Sequence, residues 1–299
     1  MSKRPVIILL SYGGADLTLN CLRSLDRQTG VSFDVLIVDN ASPDGTTEML
    51  RRERPQVELL QAGSNLGYAG GNNLGLRHAL RNSDGPFLLL NNDTLLEPDS
   101  LQALLAALDR HSGAGILGPM VYTWGEGNTI SSAGGRIDWR HADAVNIGAG
   151  EPDAGQYGPR SVDFINGCSL LITRQAIDKV GMLDERFFMY WEETDWCTRV
   201  RRAGFDVRFE PGARLRHKAT ILPSDLGPNA LYYLTRNRML FFRKHAVGPY
   251  GLRPVLHAYH GAYRGALQEA RRGRQEHASA LRRGIWDALR GHWGALPVR

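Results

Sequence analysis

The chain has 299 residues, with 36 Lys and Arg against 31 Asp and Glu and a hydrophobic share of 42%. That size suits one large domain or one and a half, and that composition excludes a collagenous or low-complexity chain. Its three cysteines, Cys21, Cys168 and Cys197, are odd in number and widely spaced, which argues against a disulfide framework or a cysteine zinc site.

The start of the chain lacks the long apolar stretch of a signal peptide, and no apolar run approaches the roughly 18 residues that span a bilayer. A soluble, cytoplasmic protein is expected. The charge is uneven. Residues 236–299 hold 13 basic against three acidic residues, a net of +10, so the first 235 carry 23 basic and 28 acidic, a net of −5. An acidic body with a basic tail suggests two jobs.

Residues 5–10 predict a fully buried strand that ends at Ser11-Tyr12-Gly13-Gly14. A helical pattern follows, with Asp16 near its start and Leu17, Cys21, Leu22 and Leu25 as its apolar positions. Residues 33–39 form a second strand running out into Asn40-Ala41-Ser42-Pro43-Asp44-Gly45, and residues 57–60 a third. Residues 69–80 read as helix, 86–90 as strand, 98–108 as helix, and 114–118 open another strand. Short strands alternating with helices of ten to twelve residues imply an α/β fold, a mainly parallel sheet sandwiched by crossover helices. The first, second and fourth strands deliver polar loops to one sheet edge, where ligands gather in such folds.

At that edge Leu88-Leu89-Leu90 gives way to Asn91-Asn92-Asp93-Thr94. A carboxylate leaving a buried strand is well placed to hold a divalent cation, and through it a diphosphate. A plain turn would use the same residues. Asp39 suits the base or ribose of a nucleoside, and equally a turn or helix cap. Gly67, Gly70, Gly71 and Gly75 do not fit GxGxxG, and no GxxxxGK[ST] loop occurs, which argues against dinucleotide and P-loop chemistry.

Glu192, Glu193 and Asp195 fall in the first turn of a helix that continues through Cys197, Val200 and Ala203 to a stop at Gly204. The helix macrodipole keeps such acids ionised, as a base requires, although acids are common there without catalytic duty. His217 follows a strand over 213–216; a lone histidine is more often structural, but imidazole also suits a cation. Trp191 and Trp196 flank the acids, as stacking platforms for a ligand or as core. Residues 122–161 dissolve into Gly, Asp, Asn and Pro, and are expected to form a functional or mobile insertion with a short hairpin around Ile130 and Ile137.

The tail starts near Asp225. Residues 231–244 interleave aromatic and basic side chains; farther on Leu281, Ile285, Leu289 and Trp293 recur every fourth residue beside Arg282, Arg283 and Arg290. A basic amphipathic helix suits an anionic membrane surface. Packing on the body of the protein or a homo-oligomer contact are the alternatives, and nucleic acid is the least favoured partner.

The motifs at residues 7–12, 38–42, 65–73, 90–94, 167–172, 181–188 and 191–196 occur in an order that resembles the family 2 inverting glycosyltransferases of the GT-A fold, over roughly residues 5–245. The nearest likeness is to rhamnosyltransferase-like members that build bacterial surface polysaccharides. The resemblance implies a GT-A catalytic domain over 1–224, its donor half to about residue 120 and its acceptor half over 121–224, with a helical extension over 225–299. It assigns a nucleotide-sugar donor, dTDP- or UDP-linked, to Ser11, Tyr12, Asp39, Asn65, Asn72 and Asn92. Asp93 with His217 would hold Mg²⁺ or Mn²⁺; Glu193 would be the base, with Asp195 as the other candidate; Glu192, Trp191 and Trp196 would face a glycan or lipid-linked acceptor. Four positions depart from the family pattern. Gly13 stands where many relatives carry Asn, Glu193 where the usual second acid is Asp, and Asn91 and Asn92 leave Asp93 as the one acid of its motif. A nucleotidyltransferase would want a basic, Gly-rich loop after the first strand, which residues 11–16 lack. A non-catalytic sugar-nucleotide scaffold held by its tail is the reading from another class.

Overall fold

The computed structural model describes residues 4–125, 127–218, 226–246 and 251–296. Its first half is a run of crossover units: β1 (Val6–Ser11), α1 (Ala15–Asp26), β2 (Asp34–Asp39), α2 (Thr46–Glu53), β3 (Glu58–Gln61), α3 (Gly67–Asn82) and β4 (Phe87–Asn91). β1 lies between β2 and β4, parallel to both, and β2 pairs in parallel with β3. Successive residues of these strands enter opposite layers. Ile8, Val38 and Leu89 pack with Leu76 of α3, while Ile7, Ile37, Leu88 and Leu90 pack with Leu22 and Leu25 of α1. Burial on both faces is why these segments read as unbroken apolar runs.

The second half is mixed. β5 (Thr94–Leu96), α4 (Ser100–Arg110), β6 (Ala114–Thr123), β7 (Ile130–Ser132), β8 (Gly135–Asp138), β9 (Asp143–Asn146), β10 (Arg160–Ser161), β11 (Ser169–Ile172), α5 (Arg174–Val180), α6 (Glu192–Arg202) and β12 (Asp206–His217) follow in order. The main sheet runs β3-β2-β1-β4-β11-β6-β12-β10, with β5 and β7 added beside β12 and β6. β11 is antiparallel to both β4 and β6, which brings the residues just before it to the carboxyl end of β4. Two features go beyond the expected parallel sheet: this inner antiparallel strand, and helix α2 in a stretch to which the sequence pattern assigns no element.

The insertion is ordered. Ile130 belongs to β7 and faces Tyr122 of β6, while the hairpin is β8–β9, with Ile137 opposite Ala144. Tyr122 Oη donates to Asp153 Oδ2 at 2.5 Å and ties the following loop down.

Among the described residues three helices follow β12: α7 (Pro228–His245), α8 (Arg253–Arg271) and α9 (Gln275–Arg290). Met239, Leu240, Phe241 and Phe242 of α7 belong to the same buried layer as Ile8 and Leu89, so the aromatics of the basic-aromatic stretch are core. α8 buries Pro254, Ala258, Ala262 and Ala266, a stripe of small residues every fourth position that permits close helix packing. The four-residue apolar stripe of α9 divides: Leu281 is buried and Ile285 packs on the core, whereas Leu289 is 57% exposed. The expected domain boundary at Asp225 lies outside the described residues. No described helix is long and apolar enough to cross a membrane.

Candidate active site

The carboxyl ends of β1, β2 and β4 meet in register, with Ser11 opposite Asp39 and Leu10 opposite Asn91. Beyond Ser11 the chain turns through Gly13 and Gly14, at φ of 74° and 69°. Glycine enters this left-handed region without strain and asparagine is the side-chain-bearing residue it suits best, so glycine at position 13 keeps the turn available. Asn92 Nδ2 fixes the turn by donating to the Gly13 carbonyl at 3.0 Å and to the hydroxyls of Thr18 at 3.0 Å and Ser11 at 3.3 Å. Ser42 Oγ accepts from the Gly13 amide at 2.7 Å and donates to Asp39 Oδ1, while Thr47 Oγ1 donates to Asp39 Oδ2 at 2.5 Å. Asp39, 1% exposed, therefore has both carboxylate oxygens engaged in holding the loop after β2.

Asn65 works in the same manner. Its Oδ1 accepts from the Gly67 amide at 2.8 Å and from Asn40 Nδ2 at 3.1 Å, and Asn40 Oδ1 accepts in turn from the Leu66 amide at 3.0 Å. Asn72 is buried in α3, with Nδ2 on the Tyr68 carbonyl at 3.0 Å and an Oδ1 that has no hydrogen-bond partner. Tyr12 and Asn65 are the exposed members of the predicted donor set.

β5 pairs antiparallel with the end of β12, placing His217 opposite Thr94, and the Lys218 amide donates to the Asp93 carbonyl at 3.0 Å. This register brings His217 Nε2 to 3.1 Å from Asp93 Oδ1. A carboxylate oxygen beside an imidazole nitrogen is a donor pair that would suit a divalent cation of the Mg²⁺–Mn²⁺ kind, which would supply charge to neutralise a diphosphate. Among the described residues no group of three or more His, Cys, Asp or Glu is placed to hold an ion, so the protein's share would be these two.

The acids of α6 approach from the other side. A Cβ on Gly167 would lie 3.3 Å from Tyr68 Oη and 3.6 Å from Glu193 Cβ, and Tyr68 Oη donates to the Gly167 carbonyl at 2.5 Å. The next residue, Cys168, accepts at its carbonyl from the Asn91 amide at 3.0 Å. Burial raises the Cys168 thiol, and the charges of Asp93 and Glu193 raise it further. One buried thiol thus feels both the metal candidate and the base candidate. Burial pushes the Glu193 carboxyl above its ordinary range. Glu192, 4% exposed and with an Oε2 that accepts no hydrogen bond, is pushed well above its range by burial and then by Glu193.

Asp195 is placed differently. Its Oδ2 accepts from Arg199 Nε at 2.8 Å; its Oδ1 lies 2.7 Å from both Lys244 Nζ and His245 Nε2. Trp196 is fully buried, with its indole N–H on the Gly181 carbonyl at 2.8 Å, and Trp191 packs at a tilt against Phe241 with ring centroids 5.2 Å apart. Both indoles pack on protein.

The loop leading into α6 is strained. Phe188, Tyr190 and Trp191 have φ of 65°, 70° and 76°. Each costs about 1–2 kcal/mol in a residue with a Cβ. Asn237 Nδ2 donates to the carbonyls of Phe187, Met189 and Tyr190 at 2.7, 2.8 and 2.9 Å, and Arg236 adds bonds to Phe187 and Arg186 at 3.1 and 3.3 Å. At about 1 kcal/mol net per neutral bond and more for a charged donor, these offset the strain. Gly67 supports the loop from α3: its φ is +70° and a Cβ there would meet the Phe188 carbonyl oxygen at 2.4 Å.

Reading the sequence missed Asn40, Tyr68, Arg236 and Asn237. A weak signal marks the last: asparagine is a poor helix former, and here it interrupts an otherwise apolar and basic helix.

The family model for glycosyl transferase family 2 matches residues 6–181, more than half of the chain. The chain belongs to glycosyl transferase family 2. Its activity is sugar transfer. An N-acetylglucosaminyl-diphospho-decaprenol L-rhamnosyltransferase of Mycobacterium tuberculosis is 30% identical over 239 residues, 71% of this chain and 76% of the relative. The dTDP-rhamnosyl transferase RfbF of Shigella flexneri is 24% identical over 260 residues, 83% of this chain and 82% of that one. Among solved structures, the mannosyltransferase PcManGT of Pyrobaculum calidifontis, in complex with GDP-Man and Mn²⁺, superposes with a TM-score of 0.61. It covers 97% of this chain and 88% of its own at 16% identity, and the likeness carries the GT-A fold. The family 2 match stops at Gly181, short of Glu193, His217 and α7.

Proposed function

We propose that this family 2 enzyme is an inverting, metal-dependent transferase that moves a sugar, rhamnose by preference, from a dTDP-linked donor to a lipid-diphosphate or glycan acceptor in bacterial surface polysaccharide synthesis. The observation that carries the chemistry is the convergence on Cys168. Its carbonyl accepts from the Asn91 amide at 3.0 Å, two residues before Asp93 of the Asp93–His217 pair, and a Cβ on its neighbour Gly167 would lie 3.6 Å from Glu193 Cβ, beside the edge formed by Ser11, Asp39 and Asn92. The donor and acceptor classes rest on the two rhamnosyltransferase relatives.

In this reading Glu193 takes the proton of the acceptor hydroxyl as that oxygen bonds to the anomeric carbon. The bond from that carbon to the diphosphate breaks, and the nucleoside diphosphate leaves from the opposite face. One carboxylate base suffices for a single displacement. The ion held by Asp93 and His217 would neutralise charge on the leaving diphosphate. Asp195 is less suited to be the base because Arg199, Lys244 and His245 already occupy its oxygens. Asn92, Asn65 and Asp39 act here by shaping the loops whose backbone and rim, Tyr12 included, receive the nucleotide.

The deciding experiment measures nucleoside diphosphate release from a panel of dTDP-, UDP- and GDP-sugars with Mn²⁺ and N-acetylglucosaminyl-diphospho-decaprenol. Acceptor-dependent release from dTDP-rhamnose supports the whole reading. Release only from another sugar nucleotide replaces the donor, and turnover that survives full chelation removes the metal.

A further inference from the structure

We propose that Asn237 and Arg236 of α7 are positioning residues for the base, fixing the backbone of residues 186–191 from which Glu193 is presented. The inference rests on Glu193 being that base. Asn237 is 0% and Arg236 1% exposed, and the loop is what the Asn237 amide serves: one NH₂ group reaches the carbonyls of Phe187, Met189 and Tyr190. Arg236 Nη2 reaches Phe187 and Arg186 beside them, while Nη1 donates to the Gly294 carbonyl at 2.7 Å. Four carbonyls from five consecutive residues converge on two side chains. A strand sends its carbonyls alternately to two sides and a helix sends them along its axis, so this backbone needs donors at its centre. The Phe188 carbonyl points elsewhere and accepts from the Ala69 amide at 3.1 Å, so the loop is held from α3 as well as from α7.

The other flank of Glu193 is held by the same helix. Lys244 and His245 stand two turns beyond Asn237, on the same side of α7, and both contact Asp195, two residues after Glu193. α7 therefore grips the chain before and after the base. Substituents with the volume of asparagine but without its donors keep the packing and lose the grip. Leucine has no donor, and aspartate would set a negative charge against three carbonyls. Lysine at position 236 keeps a charge but not the fork of the guanidinium.

The test uses the full chain with Asn237→Leu, Asn237→Asp and Arg236→Lys, dTDP-rhamnose as donor, N-acetylglucosaminyl-diphospho-decaprenol as acceptor, and the fraction of molecules binding dTDP as the count of folded sites. Expected is a fall in kcat per dTDP-binding molecule of about 100-fold, with KM for donor within about threefold, since a displacement near 1 Å is enough for such a loss. A structural role alone would lower the number of binding molecules and leave kcat per molecule at the wild-type level; that result overturns the proposal. Hydrogen exchange at the amides of residues 187–191, measured without any sugar, should quicken in the variants, and unchanged exchange overturns it whatever the true donor is. If Asn237→Leu does not fold, Arg236→Lys gives the same two readouts. Glu193→Gln, run beside them, separates the readings. Full activity in Glu193→Gln removes the base assignment, while an inactive Glu193→Gln with a fully active Asn237→Leu removes only the positioning role.

Discussion

His245 Nε2 lies 2.7 Å from Asp195 Oδ1, joining the last turn of α7 to the first turn of α6. Arg202 donates to the other ring nitrogen at 2.9 Å, so Nδ1 is the acceptor and Nε2 carries the proton of a neutral imidazole. Burial holds His245 below its ordinary 6.5, with Asp195 pulling the other way. The unfolded chain then takes up a proton first as pH falls below 6.5, and stability falls with it. Burial pushes the Asp195 carboxyl up, but His245, Arg199 and Lys244 together leave it below 3.8, so its contribution is complete above that value and lost beneath it. Urea unfolding at pH 7.5 and 5.5 should show a drop that His245→Gln removes; equal drops in both proteins would refute it. Asp195→Asn leaves Arg199 and Lys244 facing a neutral group and should cost about 3–5 kcal/mol.

Glu193→Gln should lower kcat by about 10²–10⁴-fold, the range of a general base. Burial raises the Glu193 carboxyl above its ordinary 4.5, so the acid limb of the kcat/KM profile should lie above 4.5. Glu192 is raised well above that same value by burial and then by the charge of Glu193, so it is still protonated while Glu193 ionises, and Glu192→Gln should leave this limb in place and kcat within about tenfold. A limb that moves to lower pH in Glu192→Gln would show that Glu192 is charged when Glu193 titrates.

Asp93→Asn and His217→Ala should both weaken Mn²⁺-supported turnover, the first more than the second, because the carboxylate carries the charge that holds the ion. A titration of activity with Mn²⁺ after chelation reads this directly. Recovery of His217→Ala, but not of Asp93→Asn, at high Mn²⁺ is the expected pattern.

Gly67→Ala meets two obstacles at once, a left-handed φ and a carbonyl oxygen 2.4 Å from the new Cβ. It should destabilise the protein by about 2 kcal/mol or more. Gly63→Ala, where nothing lies within 4 Å of the Cβ, is the control and should be close to neutral. Thermal unfolding of the pair decides.

Trp286 and Leu289 of α9 are 53% and 57% exposed, and Arg290 lies over the Trp286 ring at 4.3 Å. With Arg282 nearby they form an apolar and basic surface of the kind that settles on anionic lipid. The double substitution Trp286→Glu with Leu289→Glu should abolish sedimentation with phosphatidylglycerol vesicles and leave turnover of a water-soluble acceptor unchanged. Equal sedimentation would place membrane contact elsewhere or nowhere.

Strands β1, β2 and β4 were legible because burial on both faces leaves unbroken apolar runs. Helix α2 was not, since residues 46–53 contain two Thr and four charged residues and one deeply buried apolar side chain, Leu50. The direction of β11 leaves no mark in Ser169 and the three apolar residues after it. At the site, Asp93 and His217 were readable as chemistry, and their meeting depends on a strand register that residue types do not reveal. Asn65 and Asn92 were readable as a motif, but their use as backbone ties appears only when the carbonyl and amide partners are in place. The arginines of residues 231–244 suggested a surface, and the burial of Arg236 follows from loop carbonyls 50 and 49 residues earlier in the chain.

The shared layer of Phe241, Phe242, Trp139 and Trp191 sets where this enzyme can be cut. A chimera that joins its sheet to the tail of a relative at residue 225 would bring a foreign helix against these rings, against Asp195 and against the carbonyls of residues 186–191. A junction after His245 leaves α7 with the body it completes and exchanges only α8 and α9. Tail swaps among such transferases should therefore tolerate the second junction and fail at the first, even though the stretch recognisable as family 2 ends far upstream of both.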